Sequence, residues 1–64
     1  MAAKDPILLR IGKFVRAARV AQGLSQEALA HACDLHRTYI GQLERGEVNV
    51  TVLSLRKVTR ALKI

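Results

Sequence analysis

Wound as an α-helix at about 100° per residue, the segment from Arg37 to Arg45 places Arg37, Thr38, Gly41, Gln42 and Arg45 on one continuous arc. His36, Tyr39, Ile40 and Leu43 fall on the opposite arc. An exposed helix ordinarily mixes Glu with Lys, and this arc carries no acid. Its groups suit the edges of nucleic-acid bases and the phosphates between them. Arg37 is long enough for two parallel bonds to guanine, and Gln42 matches an adenine edge or a phosphate. Thr38 can donate to a phosphate or offer its methyl to thymine. Gly41 would let the helix axis approach a groove with no side chain in the way. The plain alternative is an ordinary solvated helix face.

Such a helix needs a mount, and the residues before it supply one. Leu29, Cys33, Leu35, Ile40 and Leu43 fall where two short helices joined by a tight turn must touch, and Ala30 is small enough for a close crossing. This predicts a helix-turn-helix over 26–45. Ser25 caps its first helix, with Glu27 in the positive first turn. Asp34 sits where that helix should end in a left-handed residue, a conformation Asp tolerates better than most. His36 or Arg37 starts the second helix and Gly46 ends it.

The flanking segments are also helical in pattern. Asp5 can cap a first helix whose first turn suits Pro6. Ile7, Ile11, Val15 and Ala18 recur at four- and three-residue steps as its buried stripe, and Gly23 closes it. After a loop through Asn49, Thr51 caps a last helix with the stripe Val52, Leu55, Val58 and Leu62. Strand periodicity is absent. The expectation is an all-α bundle of four or five short helices forming a single domain over residues 1–64.

Composition narrows the partners. Eleven Lys and Arg against five Asp and Glu give a net charge of +6 in 64 residues, the balance of a polyanion binder. Half of the residues are hydrophobic, but only Phe14 and Tyr39 are aromatic, so the core must be built from Leu, Ile, Val and Ala. Cys33 is the only cysteine, which excludes an internal disulfide and suits a reducing interior. The start, Met1 to Asp5 followed by an apolar run broken at Arg10 and Lys13, is too short and too charged for a leader or a membrane span. The expected location is the cytoplasm.

Other chemistry finds little support. His31, Cys33 and His36 are close in sequence, but Cys33 falls on the apolar stripe and a structural zinc normally takes four ligands, so no metal site is expected. No nucleophile–base constellation and no phosphate-cradling glycine loop occurs, which argues against an enzyme and against a bound cofactor. Arg10, Lys13 and Arg16, and later Arg56, Lys57, Arg60 and Lys63, are basic runs of the kind that usually form solvated faces.

Four blocks carry a family resemblance: Arg19; Gly23-Leu24-Ser25-Gln26-Glu27-Ala28-Leu29-Ala30; Tyr39-Ile40-Gly41-Gln42-Leu43-Glu44-Arg45-Gly46; and Leu55 to Leu62. From about Ile11 to Leu62 the chain resembles the phage repressor and Cro-like (XRE-type) helix-turn-helix family. Within it, His36-Arg37-Thr38-Tyr39-Ile40, then Leu43-Glu44-Arg45-Gly46 and Asn49, look like controller proteins of restriction–modification systems. The resemblance implies a lambda-repressor-like DNA-binding domain in a bacterial or phage-derived protein.

It also implies roles. Gln26, with Ser25 beside it, would hold a phosphate, supported by backbone N–H groups at the helix start. Arg37, Thr38 and Gln42 would read bases, with Tyr39 a further contact at the groove edge. Arg45 and the loop around Asn49 would bind the DNA backbone. Arg19 and Glu44 would pair, tying the first helix to the end of the recognition helix. Two positions depart from the family pattern: Asp34 replaces the usual glycine, and His36 the usual Ser or Thr cap. They bear on the tightness of the turn and the start of the recognition helix.

The expected function is a sequence-specific transcriptional regulator that binds operator DNA as a homodimer, pairing through the last helix with Leu53 or Val52 as spare apolar surface. Its alternative is a helix-turn-helix interaction module, antitoxin or adaptor, that binds a protein. A cationic membrane binder is disfavoured by the short helices and interior turn signals.

Overall fold

The computed structural model describes residues 5–64, so the leader reading of Met1 to Lys4 lies outside the described residues. Four helices run in the order α1 (Pro6–Ala21), α2 (Gln26–Cys33), α3 (Arg37–Glu44) and α4 (Val52–Leu62), with no strand among the described residues. Each start is closed by a side chain that accepts from an orphan N–H of the first turn. Asp5 Oδ1 takes Ile7 N–H at 2.9 Å, Ser25 Oγ takes Ala28 N–H at 2.9 Å, and Thr51 Oγ1 takes Ser54 N–H at 3.0 Å. His36 substitutes for the usual hydroxyl: its Nδ1 accepts from Thr38 N–H at 3.1 Å, and the helix begins at Arg37.

The ends are equally regular. At each, an N–H two or three residues past the helix end returns to a carbonyl five residues earlier: Leu24 to Arg19 at 3.1 Å, Leu35 to Ala30 at 2.9 Å, Glu47 to Gln42 at 2.9 Å, and Ile64 to Thr59 at 3.0 Å. This closure requires a left-handed residue just before the returning N–H. Gly23 and Gly46 supply it twice, both at φ 72°, and Asp34 (φ 57°) and Lys63 (φ 59°) supply it without the freedom of glycine.

Val15, Leu29, Ala30, Cys33, Ile40, Leu43, Val58 and Leu62 form the core, drawn from all four helices. Two stripe assignments need correction. Ile7 is 54% exposed and Val52 83% exposed. On α1 the inward line runs through Gly12, Val15 and Arg19. Val15 lies in the core and Ile11 and Ala18 pack against it, so the α1 stripe holds except at Ile7; Gly12 and Arg19, which hydrophobicity does not mark, complete the inward line. Val52 opens α4, where the Cα–Cβ bond tilts back past the helix start and away from the packed turns.

Gly12 and Gly46 set how α3 is mounted. A Cβ on Gly12 would lie 2.4 Å from the Glu44 carbonyl oxygen and 2.5 Å from that of Leu43, so α1 and the end of α3 meet backbone to backbone. A Cβ on Gly46 would lie 2.8 Å from Leu9 Cδ2 and 3.1 Å from Leu9 Cα. The C-terminal turn of α3 is therefore pressed onto α1, leaving its other face outward.

Candidate nucleic-acid interface

The inner side of α3 is held by charge as well as by apolar packing. Glu44 is buried and faces Arg19 of α1: Arg19 Nε donates to Oε2 at 2.6 Å and Nη2 to Oε1 at 3.1 Å. Arg19 Nη1 donates to the Leu24 carbonyl at 2.8 Å, and Gln26 Nε2 donates to Glu44 Oε1 at 3.0 Å. One carboxylate thus collects donors from α1 and α2 and fixes α3 against both. Among the described residues no buried side-chain nitrogen or oxygen lacks a partner.

The outer side presents Arg37 and Thr38 in the first turn, both exposed, then Gln42, half-buried, and Arg45 at the end, exposed. Ser25 is exposed at the start of α2, but its hydroxyl is engaged as the cap. Gln26 is half-buried, with one amide hydrogen committed to Glu44; its amide still has a second donor. Tyr39 is half-buried against the core, and Asn49 is exposed in the loop after α3. His31 and His36 are exposed while Cys33 is buried, so these three do not converge. Burial pushes the Cys33 thiol above its ordinary pKa.

Gly41 differs from the expectation of an open site facing a groove. It is buried, because the Arg45 guanidinium folds back over it. Arg45 Nη1 lies 3.1 Å, and Gln26 Oε1 3.7 Å, from where a Cβ on Gly41 would sit. Helical side chains lean toward the N-terminus, so the residue four positions later naturally covers this spot.

Two acids missed by the reading of α3 alone border its outer face. Glu27 of α2 approaches Arg37, Oε2 to Nη1 at 3.7 Å, with both side chains well exposed. Glu47, just past α3, receives Arg45 Nε at 3.0 Å and so favours the charged guanidinium further. The arc of α3 contains no acid, yet its arginines are not isolated cations. The Arg37 pair is tertiary, since Glu27 belongs to another helix, whereas Glu47 stands only two positions after Arg45, local in sequence but past the end of α3.

The comparisons with known proteins agree with this arrangement. The helix-turn-helix family profile matches residues 15–64. The control protein C.BamHI of Bacillus amyloliquefaciens is 46% identical over 59 residues, covering 91% of this chain and 73% of its own. The crystal structure of the restriction-modification controller protein C.AhdI from Aeromonas hydrophila superposes with a TM-score of 0.91 at 42% identity, covering 94% of this chain and 91% of that one. The controller protein C.Esp1396I, solved as a tetramer in complex with its natural 35 base-pair operator, gives a TM-score of 0.89 at 32% identity over 94% of this chain and 79% of its own. No helix among the described residues is long and apolar enough to cross a membrane. The chain belongs to the XRE-type helix-turn-helix family of DNA-binding transcriptional regulators, which it shares with these restriction–modification controller proteins.

Proposed function

We propose that this protein is the controller of a restriction–modification system in a bacterial cytoplasm, binding an operator as a homodimer with α3 of each protomer in a major groove. The observation that carries this reading is the division of α3: Arg37, Thr38, Gln42 and Arg45 face outward, while Glu44 and the backbone beside Gly12 lock the inner side to α1. A rigid helix presenting hydrogen-bonding side chains on one side is what groove reading requires. Arg37, Thr38 and Gln42 then read base edges, with Tyr39 at the groove margin. Ser25, Gln26, Arg45 and Asn49 meet the DNA backbone and set register.

Val52 and Leu53, 83% and 65% exposed at the start of α4, supply apolar surface for the dimer. A two-fold pair of recognition helices matches half-sites about one helical turn apart. Operator binding by the tetrameric relative supports the same mode for this chain.

Selection of bound sequences from a random duplex pool tests the reading. The expected result is one enriched site with two-fold symmetry, bound in a salt-dependent way. A pool that remains random after repeated selection overturns it.

A further inference from the structure

Arg45 is the long cation on the outer face whose position is set from two directions. Below it, the missing side chain of Gly41 leaves room for the guanidinium to lie along the helix, with Nη1 over the Gly41 backbone. Beside it, Glu47 Oε2 takes the Nε hydrogen at 3.0 Å. A guanidinium held at Nε still offers its terminal nitrogens, and that edge can meet a phosphate with two parallel bonds.

Glu47 itself stands on a fixed mount. Its N–H closes the end of α3 onto the Gln42 carbonyl at 2.9 Å, and the preceding Gly46 is wedged against Leu9 of α1. A carboxylate on a rigid turn, gripping one side of an arginine whose other side lies over a glycine, restricts a side chain that would otherwise sample many rotamers. We infer that Glu47 is a positioning residue for DNA binding, orienting the Arg45 guanidinium toward a backbone phosphate. This deepens the proposed function and rests on its placement of α3 against DNA.

Two effects of Glu47 oppose each other. Its charge repels nearby phosphates, so electrostatics alone makes any neutral replacement bind DNA more tightly. Its grip on Arg45 removes part of the ordering cost that an immobilised long side chain imposes on association, worth about two- to tenfold in affinity. Glu47 stays within the screening length of about 8 Å of a phosphate held by Arg45, so the repulsion persists, but it weakens as salt rises whereas the ordering cost does not. The sign of the effect toward the upper end of a salt series therefore distinguishes the two.

The test is the affinity of Glu47→Gln for a random-sequence duplex, followed by fluorescence anisotropy across a salt series. A phosphate contact does not depend on sequence, so no operator is required. Although the variant is more positive, it should bind about two- to tenfold more weakly, and its salt slope should fall toward that of Arg45→Ala. Glu47→Asp should recover part of the loss. In an Arg45→Ala background, Glu47→Gln should cause no further loss. Tighter binding by Glu47→Gln, or a loss that persists without Arg45, overturns the positioning role while leaving the DNA-facing assignment of α3 intact. Absence of salt-dependent binding by the unaltered protein overturns both.

Discussion

Arg19 and Glu44 meet fork to fork across the α1–α3 contact, at 2.6 and 3.1 Å, with the carboxylate side chain only 2% exposed. Burying two charges is costly, and the pair survives because Leu24 and Gln26 satisfy the remaining hydrogen-bonding capacity around it. The same carboxylate anchors Gln26, so one group governs both the seating of α3 and the pose of the side chain that opens α2, which the proposed function sets against a phosphate.

Removing Glu44 leaves a guanidinium buried without its partner. Glu44→Ala should destabilise the fold by about 3–5 kcal/mol. That is comparable with the whole stability expected of a small domain, so much of the variant should be unfolded at ambient temperature. Replacing both partners by apolar residues of similar volume should cost far less, because no charge is stranded. Urea denaturation followed by circular dichroism measures both. An unchanged midpoint for Glu44→Ala would mean that the pair contributes nothing.

Asp34 occupies a left-handed conformation that disfavours a residue bearing a Cβ, and its carboxylate stands at the negative end of α2. Glycine removes both penalties, at the cost of a more flexible unfolded chain. Asp34→Gly should therefore raise stability by about 0.5–1 kcal/mol, seen as a melting temperature higher by a few degrees. A lower melting temperature would show that Asp34 makes a compensating contact.

The helix boundaries were legible because they depend on local chemistry. Asp5, Ser25 and Thr51 announced their caps, and Asp34 and Gly46 announced the ends on either side of the turn. Leu29, Cys33, Ile40 and Leu43 marked their own burial. What the residues did not reveal was tertiary. Nothing around Gly12 says that another backbone lies against it; Gly12 and Arg19 are inward positions that hydrophobicity does not mark, whereas apolar Ile7 is exposed. The outer face of α3 was legible as a set of side chains but not as an electrostatic surface. Glu27 reaches Arg37 from another helix, beyond the view of any single helical wheel, whereas Glu47 follows Arg45 by two positions and lies just past the last helical turn. Arg19 and Glu44 were matched only through the family resemblance, since 25 positions separate them and no periodicity connects them.

Cys33 makes stability depend on alkaline pH. Burial raises its folded pKa above the unfolded value, so as pH climbs past the ordinary thiol range, about 8.5, the unfolded chain loses its proton first. The folded state then binds more protons than the unfolded state, and stability falls with rising pH. Below that range the thiol is protonated in both states and contributes no slope. Urea midpoints measured from pH 7 to pH 10 should decline more steeply for the parent than for Cys33→Ala, whatever constant offset the smaller side chain introduces. Parallel declines would show that the thiol ionises with equal ease in both states.

Arg37 and Arg45 offer the sharpest division of roles on α3. Both are exposed and both have a carboxylate neighbour, but they differ in place. Arg37 opens the helix, where recognition helices address base edges, whereas Arg45 lies at the far end beside the turn. If Arg37 grips a guanine, Arg37→Ala should lose roughly 1–3 kcal/mol on the selected site and relax selectivity at one base pair. Arg45→Ala should weaken all sequences alike and lower the salt slope by about one unit, as expected for a phosphate contact. Neither side chain supports the core, so circular dichroism should show both variants folded. The contrast carries the weight, because any basic helix loses affinity when it loses a charge. Equal losses by both variants on selected and random duplexes would make α3 an electrostatic contact alone, and the assignment of Arg37 as a base reader would then fail.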